Sequence, residues 1–347
     1  ILIRQNRSGV PFSVEDTVNF PTSACRALIT GVAGSCGTYL VDYLAEQHPE
    51  VELHGLVRWR SAFPSRGRSY VGSRVHVYEA DLLDFGSILR ALDIVQPHVV
   101  VHIASHAHVA SSFATPSVVL SNNILGTSNL FEAVRHTHQD PVILLCSTSE
   151  VYGQVEPVQS VITEKTPLCP INPYAVSKAA QDLLGGSYWA SYGMRIVRAR
   201  MFSYINPRRS DLFASTFAQQ IVRIERGQQS VLTHGFLDSI RTLIDVRDAV
   251  RAYWDIARQG VPGEVYNIGG TTPISVRHVL QRLIDVSGVS VDMRMDPALL
   301  RPVDILYQVP DVSKFVSVTG WNPRYTLHES LTNVLSYYRS RQDDDVI

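Results

Sequence analysis

Lysine is almost missing from this chain: of 31 basic residues only Lys165, Lys178 and Lys314 are lysines, and the other 28 are arginines. Where arginine meets the general need for surface charge, the placement of each lysine becomes informative. Cysteine is also scarce. Cys25, Cys36, Cys146 and Cys169 fall at no metal-ligand or redox-pair spacing, which excludes a disulfide scaffold and points to free thiols in a reducing compartment. Neither sign of charge dominates, with 31 basic against 32 acidic residues and a net charge of −1, and no basic block occurs. That balance excludes the electrostatic footprint of a nucleic-acid or membrane-surface partner. No apolar run reaches the roughly 18 residues a membrane span needs, and the opening stretch from Ile1 to Phe20 is broken by Arg4, Arg7, Glu15 and Asp16. The expected location is therefore cytoplasmic.

What is present is an alternating pattern. Short β-branched runs predict strands at Ala27 to Thr30, Val51 to Val57, Val75 to Tyr78, Val99 to Ile103, Val142 to Ser147 and Arg195 to Arg200. Between them, apolar residues at three- and four-residue steps predict helices at Gly37 to Gln47, Phe85 to Val95, Pro116 to Arg135 and Pro173 to Tyr192. Strand and helix in turn predict an α/β fold, a Rossmann-like doubly wound parallel sheet. After Arg200 the elements become shorter and richer in Arg, Pro and Gly. Helices are expected there at Phe213 to Arg226, Asp245 to Ala257, Ser275 to Val286 and Leu327 to Arg341. The expected organisation is an extension over 1–25, a dinucleotide-binding domain over 26–200, a mainly substrate-binding α/β lobe over 201–341 and a tail over 342–347.

The first strand runs into Gly31, Val32, Ala33, Gly34, Ser35, Cys36 and Gly37, and then into an amphipathic helix. A tight strand-to-helix turn without Cβ atoms lets backbone N–H groups approach a pyrophosphate where the helix dipole favours negative charge. Gly31, Gly34, Ser35, Cys36 and Gly37 are thus candidate cofactor contacts. The second strand ends at Arg58, followed by Arg60, where an acidic residue would select the unphosphorylated cofactor. Arginine favours a 2′-phosphate and hence NADP, with NAD as the alternative if both are solvated surface charges. Asp81 and Leu82 follow the third strand where an adenine would lie; a helix cap before Phe85 is the other reading of Asp81.

Tyr174 and Lys178 stand four residues apart on one face of a predicted helix. A compact ammonium beside a phenol can draw its pKa towards neutrality, so that the phenolate acts as a base. Upstream, Thr148, Ser149 and Glu150 close a buried strand, where a parallel sheet opens on a ligand crevice. Thr148 can hold a substrate hydroxyl while Tyr174 takes its proton, and Glu150 can act as a second acid or base. The catalytic candidates are therefore Thr148, Glu150, Tyr174 and Lys178, the last two also touching cofactor. His106 and His108, beyond the fourth strand, read as structural histidines with no third ligand spaced for a metal.

The glycine turn, the Thr148-Ser149-Glu150 segment and the Tyr174/Lys178 pair resemble the extended short-chain dehydrogenase/reductase superfamily, in its nucleotide-sugar branch. The resemblance spans about Arg26 to Arg341. Leu53 to Arg58, Ser147 to Glu150 with Tyr152-Gly153, and Pro207-Arg208-Arg209 are similar to GDP-mannose 4,6-dehydratase. Asp245 to Asp248 with Ala252-Tyr253-Trp254, Gly263 to Asn267, Leu300-Arg301-Pro302 and Thr319 to Pro323 are similar to GDP-4-keto-6-deoxy-mannose reductase. The resemblance implies an NAD(P)-dependent enzyme on a nucleotide-sugar substrate, a GDP-sugar favoured, that performs 4,6-dehydration with internal hydride return. C4 reduction is the alternative and epimerisation a third. It further implies Ala104 and Arg209 as cofactor contacts, Ser149, Arg241 and Arg301 as substrate contacts, and a homodimer through the helices from Pro116 and Pro173, or a higher homo-oligomer. Departures stand beside these matches: Phe202-Ser203-Tyr204 replaces Phe-Asn-His, Thr242 replaces Asp after Arg241, and Asp304 replaces Glu. A non-catalytic dinucleotide sensor is the reading outside the enzyme class, and the intact tyrosine and lysine weigh against it.

Overall fold

The computed structural model describes residues 25–58, 74–156 and 160–341. The expected N-terminal extension, apart from Cys25, and the tail from 342 lie outside the described residues, as does Arg60.

Seven parallel strands form the central sheet: β1 (Arg26–Thr30), β2 (Glu52–Val57), β3 (His76–Glu79), β4 (Val99–His102), β5 (Val142–Thr148), β6 (Ile196–Met201) and, from the second half of the chain, β11 (Val265–Ile268), in the order β11-β6-β5-β4-β1-β2-β3. The strand order reverses at β1, which pairs with β2 on one side and β4 on the other. A crevice opens at the carboxyl ends of strands at such a switch point. Along β1 the side chains alternate between two cores, with Ala27 and Ile29 in one and Leu28 in the other. Burial on both faces explains why these strands read as continuous apolar runs.

The helices of this half are α1 (Ser35–Gln47), α2 (Phe85–Val95), α3 (Val109–Ala114), α4 (Pro116–Leu120), α5 (Gly126–His136) and α6 (Pro173–Tyr192). Helix α6 starts where the sequence signals it: Asn172 accepts the Ala175 N–H, Pro173 takes the first turn, and Gly193 closes the helix in the left-handed region. The single helix expected from Pro116 to Arg135 is instead divided. A π-helical turn at Ser121–Leu125 separates α4 from α5. Its wider ring turns Asn123 inwards, where its amide finds partners that periodicity alone does not show.

The second half carries β7 (Tyr204–Ile205), α7 (Phe213–Glu225), β8 (Val231–His234), β9 (Ile240–Arg241), β10 (Ile244–Asp245), α8 (Val246–Gln259), β11 (Val265–Ile268), β12 (Ile274–Ser275), α9 (Val276–Ser287), β13 (Asp292–Met295), β14 (Tyr307–Gln308), α10 (Ser313–Thr319) and α11 (Leu327–Arg339). Two elements of this half join the first one. Strand β11 pairs with β6 to complete the main sheet, and α8 buries Val250, Tyr253, Trp254 and Ile256 in the same core as α1. The chain returns because the β6 edge and the face beside α1 would otherwise leave apolar surface and unpaired backbone exposed. A separate core of α7, α9 and α11, including Phe217, Leu280 and Leu335, makes the lobe itself. The short strands β7 to β10 escape sequence reading because two to four residues carry too little periodicity.

Candidate active site

Gly31 adopts φ +69°, and a Cβ there would lie 2.8 Å from the Ala104 Cα. Only glycine lets the β1 turn lie against the end of β4 in this way. Helix α1 begins at once, its first turn capped by no side chain, so its N–H groups and positive dipole end are available to an anion. Two cavities meet at this turn. One, of about 730 Å³, is lined by Gly34, Ser35, Cys36 and Gly37 and by Thr148, Ser149, Glu150, Tyr174 and Lys178. The other, of about 370 Å³, is lined by Leu56, Arg58, Ala80, Leu82, His106 and Asn122. Gly31, Gly34 and Ala104 line both, so the pair reads as one elongated crevice with a glycine turn at its waist. Asp81 is not among the lining residues; its carboxylate accepts the Leu83 N–H at 2.9 Å. The helix cap before Phe85 is Asp84, which accepts the Gly86 N–H.

The expected catalytic groups converge from β5 and α6. Thr148 ends β5 and caps the 3-10 turn Ser149–Tyr152, so the strand's own termination fixes its hydroxyl and Glu150 at the cavity wall. Lys178 is buried and donates from Nζ to the Cys146 carbonyl at 2.6 Å. Burial lowers its pKa to about 8. Burial pushes the Tyr174 phenol in the other direction, up to about 12, against the opposing pull of the Arg209 guanidinium and a hydrogen bond with Thr148. The expected lowering of the phenol by Lys178 is therefore not a property of the protein alone. Desolvation outweighs the nearby charge, and the cation that acts most on the phenol is Arg209. Asp211 grips Arg209 at 2.9 and 3.1 Å and the Ala107 carbonyl accepts from it at 2.7 Å. Glu150 accepts from the Asn172 amide at 3.1 Å, which ties it to the cap of α6.

On the lobe side, Arg241 donates to the Ile240 and Ile305 carbonyls at 2.8 and 2.7 Å, and burial lowers its pKa. Its guanidinium is thereby fixed at the cavity wall that Glu150, Arg301 and Asp304 also line. Arg301 is exposed at the rim, and the Ser149 hydroxyl is turned to Gln308 at 3.4 Å. Tyr204 lines the same cavity near Cys36, Arg209 and Tyr174. His108 caps α3 by accepting the Ser111 N–H at 3.0 Å and also lines the cavity, so it combines a structural role with a place at the site. Among the described residues no group of three or more His, Cys, Asp or Glu could hold a metal ion.

Asn123 was not legible from the sequence. From the π turn it accepts the His106 N–H at 2.8 Å, donates to the His106 carbonyl at 3.1 Å and to the Ser177 hydroxyl at 2.8 Å. It thus fastens the loop after β4 to α6 between Tyr174 and Lys178. The one available signal was a pair of asparagines, Asn122-Asn123, inside an otherwise apolar helical pattern.

A glycine turn at a switch-point crevice, with a buried tyrosine and lysine one helical turn apart, defines a Rossmann-type short-chain dehydrogenase/reductase enzyme. The chain belongs to the GDP-mannose 4,6 dehydratase family, whose profile matches residues 28–334. It is 32% identical to the GDP-6-deoxy-D-mannose reductase of Pseudomonas aeruginosa, over 91% of this chain and 98% of that protein. It is 28% identical to the GDP-mannose 4,6-dehydratase of Yersinia enterocolitica, over 90% and 93% of the two chains. Among solved structures, that of RMD from Pseudomonas aeruginosa complexed with NADPH superposes with a TM-score of 0.78 at 30% identity, covering 92% of this chain and all of the other.

Proposed function

We propose that this chain is an NADP(H)-dependent enzyme that removes water from a GDP-mannose-like sugar, converting it to the 4-keto-6-deoxy sugar. The observation that carries the reading is Glu150, a carboxylate in the cavity that also holds Thr148 and Tyr174. Oxidation or reduction at C4 needs one proton-transfer group, whereas elimination across C5 and C6 needs another. The crevice fits the cofactor on the chain's own evidence: the Gly31 turn that a Cβ would obstruct, and the side-chain-free start of α1. Held by Gly31, Gly34, Ser35, Cys36, Gly37, Ala104, Lys178 and Arg209, with Arg58 and Leu82 at the adenosine end, a nicotinamide dinucleotide phosphate supplies the hydride acceptor and donor. Tyr174 takes the C4 hydroxyl proton while Thr148 holds that oxygen. Glu150 removes the C5 proton, which a neighbouring ketone acidifies, and passes a proton to the departing C6 hydroxyl; return of the hydride to C6 and of a proton to C5 would complete the 4-keto-6-deoxy sugar with no net change in the cofactor. Arg241 and Arg301 face the diphosphate, with Ser149 beside the sugar.

Incubation with GDP-mannose and catalytic NADP+ should give a product lighter by one water, with no net NADPH. The Glu150→Gln variant is expected to lose water about 10²- to 10⁴-fold more slowly, while a single turnover of NADPH formation persists because oxidation at C4 uses Tyr174. C4 reduction of a keto-sugar is the second reading, favoured by the 32% identity to a reductase over nearly the whole chain. Stoichiometric NADPH consumption on a 4-keto-6-deoxy sugar, with GDP-mannose unchanged, would establish that reading instead. Arg58→Ala should weaken NADPH binding roughly 10- to 100-fold, the worth of a charge-assisted hydrogen bond, and leave NADH binding within about twofold. Equal losses for both cofactors would remove Arg58 from 2′-phosphate recognition. The proposal includes a cytoplasmic homodimer. It is supported by exposed Val118, Leu125, Val176 and Leu183 on the helices from Pro116 and Pro173, and by four free thiols.

A further inference from the structure

A buried chain of hydrogen bonds starts beside the glycine turn, at Thr30 and Ala104, and runs to helix α6. His102, the last residue of β4, is 1% exposed. Its Nδ1 is 2.8 Å from the Thr30 hydroxyl and its Nε2 2.9 Å from the Thr127 hydroxyl. Thr127 donates its single proton to the Asn123 carbonyl at 2.7 Å, so towards its other neighbours it is an acceptor. The Gln181 amide is one donor to it, and His102 must be the other. The imidazole therefore carries its hydrogen on Nε2, and Nδ1 is left as an acceptor. Thr30 accepts the Ala104 N–H at 3.2 Å, and its own proton goes to Nδ1. Each link is thus a donor facing an acceptor, from the Ala104 N–H through Thr30, His102 and Thr127 to the Asn123 carbonyl.

The ends of this chain matter more than its middle. Thr30 directly precedes Gly31, and Ala104 is the residue that Gly31 lies against. At the other end, Gln181 belongs to α6, and Asn123 bonds Ser177 of the same helix. We propose that His102 is a positioning residue, an imidazole kept neutral with its proton on Nε2, that sets the dinucleotide-binding turn against the helix carrying Tyr174 and Lys178. Full burial and the Lys178 ammonium both oppose a second proton, which holds the pKa down at about 3. The role rests on the crevice being the dinucleotide site, as proposed above.

The first test is equilibrium titration with NADPH, followed by nicotinamide fluorescence, on the full chain. His102→Phe, which fills the space without hydrogen bonds, should weaken binding at least tenfold and lower kcat by a similar factor. The sugar KM should stay within about twofold, a split that general loosening of the fold would not give. His102→Gln, whose amide can still donate towards Thr127, should recover part of both losses. Unchanged NADPH affinity in a folded His102→Phe protein would overturn the role, and absence of affinity in the unaltered chain would overturn the cofactor reading with it. The second test needs neither cofactor nor turnover. In 15N-histidine spectra, the resonance missing from His102→Gln should show the Nε2–H form and should not titrate between about pH 5 and 9. An Nδ1–H form, or titration in that range, would refute the assignment even if His102→Phe fails to fold.

Discussion

Replacing Tyr174 with phenylalanine is expected to lower kcat by about 10²- to 10⁴-fold and to leave NADPH affinity within a few-fold of the unaltered chain. The ring fills the same space in both proteins, and what is lost is the one hydroxyl that shares a hydrogen bond with Thr148 and lies under the influence of Arg209. The unliganded phenol, pushed up to about 12, is protonated at neutral pH. It can act as a base only if the bound state brings more positive charge to it than the empty crevice holds. Titration of the phenol by difference absorbance, without and with NADP+, should therefore show a fall in its pKa on binding that Tyr174→Phe abolishes. A variant that retained turnover would assign the base to another group, and Tyr204 in the same cavity would be the next to test.

The largest loss of stability is expected at Asp182, behind the cavity wall. This carboxylate is wholly buried on α6, one turn beyond Lys178. Arg200 grips it with Nε and Nη2, both at 2.8 Å, and Arg198 reaches it at 3.2 Å. Arg200 continues to the Tyr152 hydroxyl at 2.8 Å, and Tyr152 donates to Asn267 of β11 at 2.7 Å. Asp182→Ala leaves two guanidinium groups without their carboxylate in a low-dielectric interior, a loss of about 3–5 kcal/mol. Denaturant unfolding of the two proteins checks it, and a difference under about 1 kcal/mol would mean that water or another acceptor takes the place of Asp182. The two arginines hold the Asp182 carboxyl below its ordinary value despite burial, so its contribution is complete above the unfolded carboxyl pKa and is lost as pH falls through the depressed folded value. The gap between the two proteins should therefore narrow in acid. Because Tyr152 closes the turn that carries Glu150, Asp182→Ala should also slow water loss more than it weakens cofactor binding.

Much of the site was readable because its signals are local. A strand, a glycine turn and a helix occupy consecutive residues, and Tyr174 and Lys178 share a helix face by spacing alone. Thr148, Ser149 and Glu150 follow a buried strand whose end must lie at the crevice. Hidden residues are those whose partners are remote in the chain. Asn123 bonds Ser177 across 54 positions, and Thr30 meets His102 across 72. The direction of the Tyr174 shift belongs with them, since desolvation depends on what surrounds a group and spacing records only what stands beside it along the helix.

By itself the sequence determined the parallel α/β class, the order of the first six strands along the chain, the glycine turn and the tyrosine–lysine pair, because periodicity, the absence of a Cβ and helical spacing act within a few residues. Tertiary structure alone decided that β11 and α8 return to the first domain, that a π turn brings Asn123 to the site, and that His102 holds one proton in one place. Those outcomes depend on which unpaired backbone, apolar face or lone pair is closest once the chain has closed, and no local pattern encodes such distances.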